Sequence, residues 1–147
     1  MFTRIGAFLA ILAICGFGIP VALAEGRTAS SENAEVYIIS PVDGERLSSP
    51  VTIKFGLRGM EVAPAGTEKA QTGHHHLIID APLPPFDEPV PADHNYRHFG
   101  KGQTETILEL PKGKRTLQLL MGNYLHIPHK EPVISDKITI NNSNIDL

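Results

Sequence analysis

Seven histidines are the residues of this 147-residue chain best suited to chemistry, and all of them fall in three segments. His74, His75 and His76 stand in a row ahead of Leu77-Ile78-Ile79, His94 and His98 lie in "ADHNYRHFG", and His126 and His129 lie in "NYLHIPHK". Neutral imidazole is a ligand for zinc, copper, nickel and iron. Residues two apart on a strand project to the same side, so His74 and His76 make half of a chelate. His75 shares the opposite side with Leu77 and Ile79. The candidate metal ligands are His74, His76, His98, His126 and His129, with copper or zinc as the ion. His75, His94, Asp80, Asp93 and Glu105 are additional candidates, the carboxylates either as ligands or as acceptors that fix an imidazole tautomer. Taken singly, each histidine also reads as an ordinary hydrogen-bonded structural residue. Met60 and Met121 are soft donors that core packing explains equally well.

Two other function classes compete with metal binding. One is a non-metal binding module that contacts a cell-envelope component or a protein through the loop of residues 81–103, where Tyr96, Arg97, Phe99 and Gln103 would matter most. The other is a metal-dependent hydrolase or oxidoreductase, in which three histidines hold an ion with an open position for water. The chain contains no G-x-S-x-G, no H-E-x-x-H and no phosphate-cradling glycine loop to support catalysis. Binding is therefore favoured over an enzymatic role.

The elements that must position these residues begin after a leader. Arg4 precedes the apolar stretch "IGAFLAILAICGFGIPVALA", which ends in the small-x-small pattern Ala22-Leu23-Ala24. Residues 1–24 read as a secretory signal peptide, and the mature chain as periplasmic or secreted and free of the membrane. A retained anchor and a lipoprotein are the alternatives, the latter because Leu12-Ala13-Ile14-Cys15 is a loose lipobox. Cleavage removes the chain's one cysteine, so the mature domain has no disulfide, no thiolate site and no cysteine nucleophile. Loss of Arg4 takes the formal charge from −3 to about −4. A mildly acidic surface without a basic block excludes nucleic acid as the expected partner. The oligomeric state is not readable.

Residues 25–34 are small and polar and read as a disordered lead-in to a single domain over 35–147. "EVYIIS", "VTIKFGL", "HHHLIID", "TETILEL", "RTLQLLMG" and "ISDKITI" then read as strands. The second alternates cleanly, with Val51, Ile53, Phe55 and Leu57 on one face. No helical period separates the strands. The expected fold is all-β, an antiparallel immunoglobulin-like β-sandwich of about six to eight strands with one long proline-rich loop. That loop, residues 81–103, carries Pro82, Pro84, Pro85, Pro89 and Pro91 and the apolar anchors Phe86, Tyr96 and Phe99, and it reads as ordered.

"FGLRGMEVAPAG", "TGHHHLIID", "PADHNYRHFGKGQTET" and "LPKGKRTLQLLMGNYLHIPHKEPVISDKITI" resemble the bacterial exported domain of unknown function 4399 over about residues 36–141. The resemblance implies a small secreted or periplasmic domain and points to the same histidines, and it brings no activity with it. Members of that family carry an acidic residue ahead of the histidine in the HIPH loop. Here Tyr124-Leu125 occupies that stretch, so the resemblance does not supply a carboxylate ligand from it.

Overall fold

The computed structural model describes residues 26–143. The leader expected over residues 1–24 lies outside the described residues. Nine strands run in chain order: β1 (Glu35–Ser40), β2 (Arg46–Leu47), β3 (Val51–Arg58), β4 (Glu61–Val62), β5 (Thr72–Ile79), β6 (Tyr96–His98), β7 (Glu105–Leu108), β8 (Gly113–Gly122) and β9 (Ile138–Asn142). They form two sheets. The smaller has the order β1-β3-β7, and the larger the order β2-β9-β8-β5-β4, with β6 also paired to β5. The all-β sandwich expected from the alternation is the fold. The main ladders are antiparallel, but β2 joins β9 and β4 joins β5 in parallel.

The alternation of β3 explains the core. Val51, Ile53 and Phe55 are buried while Thr52 and Lys54 face solvent, as the period of two on a half-buried strand requires. With Val36 of β1 they meet Leu77 and Ile79 of β5, Leu117, Leu119 and Met121 of β8 and Ile140 of β9. Burying each such side chain contributes about 1.5–3 kcal/mol, which must hold the domain together without a disulfide. Leu110 completes this layer, and Leu108 packs against it from β7. Strand β5 is buried on both faces along all eight of its residues. Its inner face looks into this core. Its outer face is roofed by the proline-rich loop, where Val90, Phe86 and Tyr96 pack with Ile134 over Ile78 and Leu120.

Residues 26–34, expected as a lead-in, form no strand and bond to the loop after β8: the Arg27 guanidinium donates to the carbonyls of Pro128, His129 and Lys130, and Ser30 Oγ donates to Glu131 O at 2.9 Å. A short polar segment has no hydrophobic period to announce it, yet it supplies donors for loop carbonyls that would otherwise lack partners. The last strand starts at Ile138 rather than Ile134, because Ser135 turns its hydroxyl to accept the Leu119 N–H at 2.8 Å. Two-residue and three-residue strands raise the total above the six to eight expected.

Candidate metal centre

Strand β5 presents Thr72, His74, His76 and Ile78 outward from the core, and His75, Leu77 and Ile79 inward. His75 therefore packs against Phe55, with ring centroids 5.2 Å apart. It is a core residue, separate from the outer pair. His74 and His76 lie on the covered outer face, fully buried, with ring centroids 4.6 Å apart.

The third member arrives from the loop after β8. His126 Nδ1 lies 2.9 Å from His74 Nε2 and 3.4 Å from His76 Nε2. One donor atom from each of these three residues falls within 4.8 Å of those of the other two. Asn123 builds the turn that delivers His126. Its backbone carbonyl accepts the His126 N–H at 2.9 Å, and its side-chain Oδ1 accepts the N–H groups of Leu125 and Ile127. Asn123 Nδ2 then donates to Gly26 O at 2.7 Å, tying the turn to the N-terminal segment. The turn places His126 at φ 64°, a left-handed conformation that non-glycine residues seldom adopt. His126 O accepts the Val90 N–H at 2.9 Å, so the proline-rich loop clasps the same turn.

Two glycines make the room. Strand pairing sets His74 opposite Gly122, and a Cβ on Gly122 would fall 2.3 Å from His76 Cε1 and 3.3 Å from the His126 backbone. A Cβ on Gly73 would fall 2.9 Å from His129 Nε2. Neither glycine, nor Asn123, stood out in the sequence. A glycine inside a strand pattern is nonetheless a known sign of close approach, and Gly73 and Gly122 both carry it.

His98 stands at the margin of the cluster. Strand β6 pairs it with His76, and its ring lies 4.4 Å from that of His76 and 4.7 Å from that of His126. His98 Nε2 donates to Pro91 O at 2.8 Å. A carbonyl can only accept, so in the neutral ring the lone pair is on Nδ1. His129 is buried near by, but it points to other partners. Its Nδ1 shares a 3.0 Å hydrogen bond with Thr28 Oγ1, while Nε2 has no hydrogen-bond partner.

The remaining candidates are placed elsewhere. His94 is exposed and lines a separate cleft with Asp80, Arg97 and Arg115. Asp80 pairs with Arg115 at 2.9 Å and accepts the Thr116 N–H. Asp93 caps its own turn by accepting the N–H groups of Asn95 and Tyr96. Glu105 is exposed on β7 of the smaller sheet, opposite Lys54. Met121 belongs to the apolar core, and Met60 packs against it.

Burial sets the protonation of the cluster. It pushes the His74 pKa down to about 4, and the neighbouring His126, His98, His75 and His129 push in the same direction. His76 is lowered well below the ordinary histidine value, first by burial and then by His74, His98 and His126. His126, half-buried, is lowered by burial and by His98. His129 is lowered by burial, which outweighs the opposing influence of Thr28 and Glu131. Imidazoles held neutral keep a lone pair for a ligand, and ligation requires that form.

Fold and cluster together define an all-β sandwich domain with buried histidines under a loop roof, in an arrangement compatible with metal binding. The chain belongs to the family described as Domain of unknown function (DUF4399), whose model matches residues 53–142. That span runs from β3 to β9 and includes all seven histidines. No curated protein and no solved structure matches the chain.

Proposed function

We propose that this protein is an exported metal-binding domain of the cell envelope. His74, His76 and His126 hold one transition-metal ion, copper or zinc, and His98, whose ring lies beside those of His76 and His126, is the candidate fourth donor through Nδ1. One observation carries the reading: two imidazole nitrogens from β5 and one from the loop after β8 come together on a covered sheet face, 2.9 and 3.4 Å apart where they meet His126. Nitrogens bound at 2.0–2.1 Å to a tetrahedral ion sit about 3.3 Å apart, so little movement separates the cluster from ligation. The Pro91 carbonyl on His98 supports the same reading, because ligating histidines usually give their second ring N–H to such an acceptor. Export is supported by the leader over residues 1–24, with its apolar stretch and small-x-small end.

The test is the metal content of untagged protein purified from its own compartment. One equivalent of copper or zinc, on a chain whose N-terminus is Glu25, is the expected result. A metal-free protein that also fails to take up either ion would end this reading.

A further inference from the structure

We propose that the ion this site selects is monovalent, cuprous copper in preference to a divalent zinc or copper ion. The inference rests on His74, His76 and His126 being ligands and adds the charge that the ion must carry.

The donor set is the starting point. Among the described residues the converging group consists of histidines only. The carboxylates considered as ligands lie away from it: Asp80 with Arg115 and Thr116, Asp93 in its own turn, and Glu105 on the smaller sheet. The side groups acting electrostatically on His74, His76 and His126 are likewise all histidines. Adding His98 as a fourth donor changes the coordination number and leaves the shell neutral.

Charge then decides. An ion bound by neutral imidazoles keeps its whole charge, and here it keeps it beside two side chains with no exposure to water. The solvation an ion loses on burial grows with the square of its charge, so a divalent ion loses about four times as much as a monovalent one of equal size. Closed zinc sites commonly offset this with thiolates, and open ones with a bound hydroxide. This shell contributes no anion of its own. Imidazole accepts either copper state as well as zinc, so donor softness does not reverse the preference.

The donor count is compatible with that charge, since three nitrogens converge, one each from His74, His76 and His126. A cuprous ion has a filled d shell and accepts three nitrogens without a fourth.

The experiment is an anaerobic competition of the untagged protein against chelators of copper(I), copper(II) and zinc(II), with the His126→Ala and His98→Ala variants alongside. The account expects one copper(I) per chain, held at least about a hundredfold more tightly than either divalent ion. It expects that affinity to fall at least about tenfold in His126→Ala. A smaller or reversed ratio overturns the proposal while leaving the histidines as metal ligands. So does divalent binding that becomes as tight once azide is added, since the shell would then be completed by an outside anion. If the wild-type protein binds none of the three ions, the ligand reading itself fails, and this proposal fails with it.

Discussion

His126 Nδ1 sits 2.9 Å from His74 Nε2 although the two residues are 52 apart in the chain. Strand β5 fixes one partner, and a turn held by Asn123 fixes the other. The proline-rich loop presses on that turn through the Val90 N–H bond to His126 O. The cluster is therefore a tertiary feature of the whole domain, and its integrity should follow the packing of the sandwich and the space beside β8.

The sandwich itself is tested at Phe55, 3% exposed, which packs against both His75 and Phe99. Phe55→Ala should lower the unfolding free energy by about 3–5 kcal/mol, through lost transfer energy and the cavity left behind. Urea titration measures it. A loss below about 1 kcal/mol would mean that Phe55 is not in a packed core.

Gly122 tests the close fit of the site. Gly122→Ala brings a methyl to within 2.3 Å of the His76 position unless the ring or the backbone moves. Overpacking of this kind costs about 1–3 kcal/mol, and it should also weaken metal affinity at least about tenfold by displacing His76 and the His126 turn. Thermal melts and metal titration of the same preparation check both effects. Unchanged affinity would show that His76 is not a ligand.

The metal-free protein should lose stability in mild acid. His75 is fully buried, and burial lowers its pKa to about 4 from an ordinary 6.5, although the Gly56 backbone nearby opposes the shift. The folded pKa lies below the unfolded one, so the unfolded chain binds more protons between these values. Stability is thus complete above pH 6.5, falls as pH drops from 6.5 towards 4, and is fully lost from this residue below that. The contribution of His75 is about 3 kcal/mol. Denaturant titrations at a series of pH values measure it. His75→Phe, which keeps the ring against Phe55, should flatten part of the slope. A wild-type protein equally stable at pH 7 and pH 4.5 would contradict the buried neutral state.

Much of this arrangement is written in local patterns, because burial on a strand imposes a period of two. The alternation of residues 51–57 marks β3 and its buried face, and the order His74-His75-His76-Leu77 separates the outward pair from the inward ring once Leu77 is assigned to the core. What escapes is set by contacts distant in sequence. Strands β2, β4 and β6 have two or three residues and no readable period, existing only because β9 and β5 supply partners. His126 and His129 look equivalent around Pro128. The left-handed φ of His126 turns it to the cluster, while His129 takes Thr28 from a segment with no apolar signal. Asp80, Asp93 and Glu105 looked available because a sequence does not show that Arg115 or a turn has already claimed a carboxylate, or that a strand lies in the other sheet.

The most direct measurement is calorimetric titration of untagged protein with copper and with zinc, in parallel with His126→Ala. His126 is half-buried in a loop and contributes no side chain to the apolar core, so the variant should keep the fold, which its circular dichroism can verify. The account predicts one site per chain for wild-type protein and an affinity at least about tenfold weaker in the folded variant, a difference of about 1.4 kcal/mol or more. Equal binding by the two proteins, or no binding by the wild type, would contradict the claim that His74, His76 and His126 form a metal centre.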